Sequence, residues 1–311
     1  MKWIKELQEG DVLRGPLLVI NANRGVTNNG LAYMNVTLQD KTGTLEAKKW
    51  EVTDEDNRLL SVGNIVNIDG DVINYRDSLQ AKIRSVSGVM SGEVDVARFT
   101  ISSPIPLAEM EKKLSDYIDS IKEPTCALIT KTLVRKYYKN FISFPAAVRN
   151  HHEFASGLIH HTLQMADLGE ALAKLYPSVD RDMLIAGIIL HDIGKTIELS
   201  GPIIPKYTLE GKLLGHISLT HAEMQKVIEE HQLQGETATL LSHMILSHHG
   251  KLEFGSPVLP LTREALLLSM IDDLDAKMMM LDKAYEQTPD GEFTSRLYTL
   301  DDRYFYKPNK K

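Results

Sequence analysis

The residues best suited to chemistry are a histidine and an aspartate next to each other, His191 and Asp192. They follow a run of eight mostly apolar residues, 183–190, and precede Gly194 and Lys195, a pattern that predicts the end of a buried helix. An imidazole beside a carboxylate offers a borderline and a hard ligand to one divalent cation. We therefore expect the pair at the wall of a metal-binding cleft. Lys195 would either neutralise a phosphate oxygen there or close the helix as a surface lysine.

Further potential ligands surround this pair on both sides, and they comprise His160, His161, His216, His248, His249, Asp272, Asp273 and Asp275. Successive side chains on a helix point about 100° apart, so His160 and His161 cannot easily reach the same ion. The aspartates fall within a predicted apolar helix, residues 265–280, where carboxylates are costly to bury without a cation or a donor. A hydrolytic metal site needs neutral imidazoles, carboxylates and an open position, and this set supplies the first two.

Three local strings carry a resemblance to known proteins: Gly157-Leu158-Ile159-His160-His161-Thr162, Gly215-His216-Ile217 and Leu246-Ser247-His248-His249-Gly250. In the order His, His-Asp, Asp, the potential ligands resemble those of the HD superfamily of metal-dependent phosphohydrolases. The two extra histidine positions resemble the branch that holds two metals. Together with the front end described below, nearly the whole chain resembles the YhaM family of bacterial 3′→5′ exoribonucleases.

The resemblance implies a set of site residues. The metal ligands would be His161, His191, Asp192, His216, His248, His249 and Asp272. Asp273 is the alternative to Asp272. Asp192 and Lys195 would also act in catalysis. His152 and His243 would contact substrate or support the ligands. The cofactor would be one or two divalent ions, with Mn²⁺ favoured and Mg²⁺, Fe²⁺ or Co²⁺ left open. One departure matters, because residues 251–257 lack the Gly-Tyr-Pro signature of the cyclic-di-GMP phosphodiesterase branch, which argues against that activity.

Residues 1–90 predict an OB-fold, because five short strand-like segments and one polar helical insert are typical of that small barrel. The string from Val36 to Gly43 also resembles nucleic-acid-binding modules of this type. The candidate nucleic-acid contacts are Arg24, Lys48, Lys49 and Arg76 for phosphates, and Tyr33, Trp50 and Tyr75 for base stacking. The alternative is that Tyr33 and Trp50 fill the barrel core and that the lysines are merely solvated.

A Gly-, Ser- and Pro-containing linker is predicted over residues 91–106 and a helical domain over 107–311. We expect helix breaks at Pro124, Pro145, Pro177 and Gly201-Pro202, and a C-terminal segment that packs back on the helices. The fold class is therefore multidomain, with an N-terminal all-β OB-fold barrel followed by an all-α HD-type helical domain.

Bulk properties restrict the function classes. The net charge of −7 provides no global basic field, so contact with nucleic acid must depend on local patches or on metals. The only cysteine, Cys126, excludes an internal disulfide and suits a reducing compartment. No window reaches the roughly 18 apolar residues of a membrane helix. We expect a cytoplasmic protein without membrane contact, with a homo-oligomer left open.

The predicted activity is metal-dependent 3′→5′ hydrolysis of single-stranded RNA, and less favourably of single-stranded DNA, to nucleoside 5′-monophosphates. Two alternatives stay open. One is a nucleotide or cyclic-nucleotide phosphohydrolase with the barrel as a regulatory module. The other is a non-catalytic, nucleic-acid-binding factor associated with replication.

Overall fold

The computed structural model describes residues 2–27, 30–75, 78–89, 98–99, 103–146, 155–202 and 204–309. The chain divides into two compact units, Met1–Ser102 and Ser103–Lys311. Most of the predicted linker lies outside the described residues, as do the candidate site residues Arg76 and His152.

The first unit is a closed barrel of five strands, β1 (Val12–Val26), β2 (Ala32–Asp40), β3 (Gly43–Trp50), β4 (Ile65–Tyr75) and β5 (Ser78–Gly88). Their order around the barrel is β1-β2-β3-β5-β4, with β3 and β5 parallel and the other pairs antiparallel. The short helix α1 (Asp54–Leu59) connects β3 to β4 and begins with a capping box at Thr53. This strand order and this helix position are those of an OB-fold, which confirms the predicted class.

Alternating burial along β2 shows how the sequence forms the barrel. Met34, Val36 and Leu38 are buried in the core, whereas the residues between them face outward. A short 3₁₀ helix, Ile4–Glu6, packs against β3 and contributes Ile4 to the barrel core, and the amide of Ile4 donates to Asp40 Oδ2 at 2.7 Å. This helix was not predicted from the sequence.

The second unit is helical, and its helices are α2 (Leu107–Ser120), α3 (Pro124–Ser143), α4 (Gly157–Leu175), α5 (Arg181–Leu190), α6 (Lys195–Glu198), α7 (Leu209–Glu230), α8 (Glu236–Ser247) and α9 (Arg263–Glu286). The predicted breaks at prolines fall between helices. Pro124 is the first residue of α3, where its fixed φ and its missing N–H are tolerated. The all-α class predicted for this unit is confirmed.

Helix α5 lies at the centre of this unit. Each residue from Met183 to Leu190 is buried, and the helix packs against α3, α4, α8 and α9. Asp180 caps its first turn by accepting from the amide of Met183 at 3.0 Å. Because a helix that is apolar all round must be enclosed by others, its C-terminal end is held firmly inside the unit.

The segment after α9 is attached to the end of that helix. Lys307 Nζ donates to the carbonyl oxygens of Tyr285 and Thr288 at 2.8 and 2.7 Å, and isolated bridges join Phe293 to Tyr306 and Leu297 to Arg303. Among the residues described, no helix combines the length and the apolar character that crossing a bilayer requires.

Candidate metal centre

Five helices each bring part of the predicted ligand set to one place. His161 lies on α4, His191 and Asp192 follow the last residue of α5, His216 lies on α7, His248 and His249 follow α8, and Asp272 lies on α9. The ligands form two groups, and within each group one potential ligand atom per residue lies within 4.8 Å of the others. The first group is His161, His191 and Asp192, and the second is His216, His248 and His249. The residues separated widely in sequence therefore converge.

Asp192 lies between the two groups and faces both. Its Oδ2 atom is 3.2 Å from His191 Nε2, and its Oδ1 atom is 3.3 Å from His216 Nε2. On the far side, Asp272 Oδ1 is 3.3 Å from His161 Nε2. When two ligand atoms each lie ~2.1 Å from one ion and the ligand–ion–ligand angle is about 90–110°, the two atoms are about 3.0–3.4 Å apart. The two oxygens of Asp192 therefore face two separate groups of potential ligands at distances that suit shared coordination.

Backbone carbonyl oxygens fix the tautomer of three imidazoles. In each case Nδ1 donates at 2.7 Å, His191 to Ile188, His248 to Ile245 and His249 to Phe254. A carbonyl oxygen can only accept, so Nδ1 carries the hydrogen and the lone pair is on Nε2. Neutral imidazoles with a free Nε2 lone pair are the form that a metal ion requires.

Carboxylates orient the other two imidazoles. His161 Nδ1 is 2.7 Å from Asp275 Oδ2, and His216 Nδ1 is 3.3 Å from Glu198 Oε1, which also accepts from the His216 amide at 3.1 Å. Asp275 was one of the potential ligands in the sequence but was not among the chosen ones, and Glu198 was not a candidate. Asp275 could have been found, because it lies three residues after Asp272 on one helix face. No local signal pointed to Glu198, which reaches His216 only through the tertiary fold.

The donor set fits a cation. Among the residues that the structure describes, the buried atoms without a hydrogen-bond partner include His191 Nε2, His216 Nε2, His248 Nε2 and Asp192 Oδ1. A buried polar atom left without a partner costs about 1–3 kcal/mol, and these four converge on the same region. One or two divalent ions would satisfy all of them, so the residues present suit the group that the sequence implies.

The electrostatics of the cluster also favour positive charge. Burial would raise the pKa of Asp192, but Lys195, whose Nζ is 2.6 Å from Oδ2, and His191 hold that pKa well below its usual range. Burial lowers the pKa of His161, yet Asp272 and Asp275 outweigh it and raise that pKa to about 9. Their carboxylates thus create a position where a positive charge is stabilised.

Burial, with a smaller contribution from the neighbouring His191, puts the pKa of His248 well below its usual range. The pKa of His249 is lowered in the same direction, by burial first and by His216 second. Both imidazoles are therefore neutral at physiological pH and available as ligands. Lys195 behaves differently: burial opposes its charge, but Asp192 raises its pKa, so it remains a cation.

Two glycines shape the elements that carry the ligands, Gly194 because it has no side chain and Gly215 because of its φ. A Cβ on Gly194 would lie 2.3 Å from the carbonyl oxygen of His216, and the Gly194 amide donates to Thr220 Oγ1 at 2.9 Å. Gly215 has φ 72° and interrupts α7, so that His216 begins the helical segment after the kink. Residues 209–214 form a helical turn before this kink.

The cluster borders a cleft of about 440 Å³, whose wall includes Lys195, His216, His249 and Asp272 and two aromatic residues, Tyr207 and Phe254. A larger cavity of about 730 Å³ beside α3 contains none of the candidate ligands in its wall. The chemistry and the larger cavity are therefore in different places, and we assign the site to the smaller cleft.

Some sequence-derived alternatives can be decided by position. Asp273, the alternative to Asp272, is 55% exposed and pairs with Lys277 at 2.6 Å in the cleft wall, whereas Asp272 Oδ1 faces His161 Nε2 at 3.3 Å. The imidazole Nδ1 of His160 is 3.0 Å from Ser103 Oγ. His243 was expected to support a ligand, but its Nε2 accepts from the amide of Leu261 at 2.9 Å. That expectation is therefore not supported by its contact.

On the barrel, three of the candidate nucleic-acid contacts form a cluster. Tyr33 and Trp50 are register partners on β2 and β3, with ring centroids 5.4 Å apart, and Lys48 Nζ is 4.3 Å from both ring centroids. Trp50 is 39% exposed. The alternative that these rings fill the core is wrong. Met34 on β2 and Ala47 on β3 point to the other side of the sheet from the two rings, and they are the residues buried in the core.

Other candidates do not join this cluster. Lys49 lies on the face of β3 that carries Leu45 and Ala47, and its Nζ is 3.7 Å from Asp56 Oδ2, so its assignment as a phosphate contact is not supported. Arg24 is opposite Met34 in the strand register, and hence on the other face from Tyr33. Tyr75 is half exposed at the end of β4, which lies between β1 and β5.

Comparisons with known proteins place the chain in a class and then in a family. Residues 158–277 match the model of the HD domain family, so the helical unit is a metal-dependent phosphohydrolase domain of the HD class, here joined to an OB-fold barrel. The chain is also 46% identical, over 308 residues, to "3′-5′ exoribonuclease YhaM" of Geobacillus sp. (strain WCH70), covering 99% of this chain and 95% of that protein. The chain therefore belongs to the YhaM family of 3′-5′ exoribonucleases, which confirms the resemblance seen in its motifs.

Two solved structures also match. PriB from Ralstonia solanacearum is 12% identical, with 25% of this chain and 98% of that chain covered and a TM-score of 0.22. The second OB-fold domain of replication protein A from Methanococcus maripaludis is 15% identical, and the match covers 30% of this chain and 98% of that domain with a TM-score of 0.23. At these scores the two matches add nothing to the strand order as evidence for the fold.

Proposed function

We propose that this chain is a metal-dependent 3′→5′ exoribonuclease that hydrolyses single-stranded RNA, and less favourably single-stranded DNA, to nucleoside 5′-monophosphates. The observation that carries the proposal is the position of Asp192. Its two carboxylate oxygens face separate groups of imidazoles, at 3.2 Å from His191 Nε2 and at 3.3 Å from His216 Nε2. This is the arrangement expected of a two-ion phosphodiesterase.

The residues of the chain have definite tasks in this proposal. Divalent ions, when bound, supply Lewis acidity that activates water and neutralises charge on a phosphate. His161, His191, Asp192, His216, His248, His249 and Asp272 would hold them. Lys195 lies in the wall of the cleft and keeps its positive charge beside Asp192, so it is suited to neutralise a phosphate oxygen as negative charge develops.

The barrel supports the choice of nucleic acid as substrate. Lys48 places an ammonium group beside the outward-facing rings of Tyr33 and Trp50. A basic side chain beside exposed aromatic rings is how OB-folds hold single strands, since every base can stack on a ring while a cation contacts the backbone. We infer that this cluster of Tyr33, Trp50 and Lys48 holds single-stranded RNA.

Finer features belong to the same proposal. Mn²⁺ is our choice of metal, because a set of five imidazoles with two carboxylates suits it better than it suits Mg²⁺, which prefers oxygen ligands. We place the activity in the cytoplasm, which suits the single cysteine, Cys126, buried in the helical core. A homo-oligomer is compatible with this proposal, and nothing in it requires one.

The test uses single-stranded RNA labelled at either end and the purified full chain. We expect 3′-labelled RNA to release a labelled mononucleotide first and 5′-labelled RNA to give a shortening ladder. Both reactions should stop on chelation and return with Mn²⁺. Asp192→Asn should abolish them and remove most bound metal, whereas Asp116→Asn, a control at an exposed carboxylate on α2, should not.

Two outcomes would contradict the proposal. Hydrolysis of free nucleotides without degradation of RNA would indicate a small-molecule phosphohydrolase. RNA binding that survives chelation, with no cleavage at any concentration of Mn²⁺, Mg²⁺, Fe²⁺ or Co²⁺, would indicate a non-catalytic binding protein.

A further inference from the structure

Two exposed aromatic side chains in the wall of the cleft have no task in the mechanism above. Tyr207 is 48% exposed and Phe254 is 54% exposed, and both line the cleft beside His216 and His249. Aromatic surface left in water is unfavourable, so rings at the entrance of a site are well placed to be covered by a ligand.

Phe254 is attached to one of the candidate metal ligands. It is the last residue of the short 3₁₀ helix Leu252–Phe254, and its carbonyl oxygen accepts from His249 Nδ1 at 2.7 Å. The amide of His249 in turn donates to Ser256 Oγ at 3.1 Å. The turn that carries the Phe254 ring is thus fixed to His249 at two points.

Tyr207 is attached to a second ligand through Glu198. It pairs with Leu199 in an isolated antiparallel bridge, and the adjacent amide of Thr208 donates to the Glu198 carbonyl oxygen at 2.9 Å. The carboxylate of Glu198 accepts from the amide of His216 at 3.1 Å. The position of Tyr207 is therefore set by the same residue that orients His216.

The two attachments place both aromatic residues at one end of the metal cluster. The rings of His216 and His249 are neighbours, with centroids 5.1 Å apart. A group held by Tyr207 and Phe254 would therefore lie beside the His216–His249 end, in the same cleft as Lys195, which the proposed function assigns to a phosphate oxygen.

We propose that Tyr207 and Phe254 form the subsite for the base of the 3′-terminal nucleotide, which they bind by stacking. This inference rests on the proposed function and adds how the terminal nucleotide is positioned. An enzyme that removes successive nucleotides must accept all four bases, and stacking provides this because every base has a π-face. The cleft of about 440 Å³ lies within the range of about 300–1,000 Å³ for small-molecule sites.

The test pairs each protein variant with two substrates. One single-stranded RNA ends in a normal nucleotide, and the other carries hydrogen in place of the 3′-terminal base but keeps the ribose hydroxyls. For the Mn²⁺-loaded full chain we expect a KM about 5- to 100-fold lower for the RNA with the base, with kcat changing less. In Phe254→Ala and Tyr207→Ala this ratio should approach 1, and Phe254→Trp should restore it.

Matched controls separate stacking from general damage. Leu252→Ala removes an equally exposed apolar side chain from the same turn, and Tyr176→Ala removes an exposed tyrosine at the end of α4. Both controls should keep the wild-type ratio. Phe254→Leu retains an apolar side chain but cannot stack, so it should behave like Phe254→Ala while keeping its bound metal.

A binding measurement provides a readout that does not depend on turnover. By isothermal titration the wild-type protein should bind AMP about 5- to 100-fold more tightly than ribose 5-phosphate, and the alanine variants should lose this preference. Wild-type protein that does not distinguish the paired ligands, or variants that keep the wild-type preference, would overturn the inference. If RNA is not degraded but the AMP preference exists and depends on Phe254, the subsite stands and the proposed function fails.

Discussion

Asp272 and Asp273 are adjacent on α9, but only the substitution of Asp272 by alanine should reduce metal binding and RNA cleavage. Asp272 Oδ1 faces His161 Nε2 at 3.3 Å, whereas Asp273 is exposed and pairs with Lys277 four residues later. We expect Asp272→Ala to lower metal affinity by more than ~100-fold, since loss of a residue that merely supports a ligand already costs about 10–100-fold. Asp273→Ala removes one exposed i,i+4 ion pair worth about 0.3–0.5 kcal/mol, which changes the unfolding equilibrium constant only about twofold.

The assay measures bound metal after dialysis at a fixed concentration of free Mn²⁺, together with single-turnover cleavage of RNA. Urea unfolding of both variants checks that each remains folded. Asp272→Ala should lose metal and cleavage together, and Asp273→Ala should match the wild type in both. Equal loss in the two variants, or wild-type metal binding in Asp272→Ala, would show that the reasoning from side-chain position is mistaken.

Three further predictions test the surroundings of the site. Burial would raise the pKa of Glu223, but hydrogen bonds from Lys136, Lys226 and Tyr137 together outweigh it and lower that pKa to about 2. The ionised carboxylate therefore stabilises the fold above pH 4.5, and this stabilisation is lost as the pH falls toward 2. In urea titrations, Glu223→Gln should lower the unfolding free energy by roughly 1–3 kcal/mol at pH 7 and by much less at pH 2. Asp275→Asn should weaken metal binding about 10–100-fold in chelator competition, because it disturbs the orientation of His161. Gly194→Ala should destabilise the protein by about 1–3 kcal/mol in urea unfolding and reduce its metal content, because the new Cβ would displace the helical segment that starts at the α7 kink.

The sequence predicted best where one element carries its own signal. Residues 183–190 are apolar without interruption, so a buried helix ending at His191 and Asp192 could be expected, and α5 ends at Leu190. In the barrel, the position of Lys49 could also have been predicted. It shares the alternate face of β3 with Leu45 and Ala47, and that period of two was already present in the sequence.

The sequence predicted less well where a contact depends on the tertiary fold. The kink at Gly215 depends on φ 72°, and a glycine in a sequence permits such a value without requiring it. The same period of two places Trp50 on the face of β3 opposite to Leu45 and Ala47, but it does not say which residue lies beside it. Only the register of β2 and β3 places Tyr33 and Trp50 together on the outer face beside Lys48.

The acceptors of the imidazole Nδ1 atoms explain why part of the site was predictable and part was not. His191 and His248 follow helix ends, where the last carbonyl oxygens have no partner within the helix and can accept from a ring three residues later. His161 lies inside α4, where the backbone carbonyls are already used, and His216 begins a helical segment after a kink. These two imidazoles therefore need carboxylates from other helices, Asp275 and Glu198. A His-Asp pair at a helix end thus carries its own orientation, whereas the remaining ligands acquire theirs only when the helices pack.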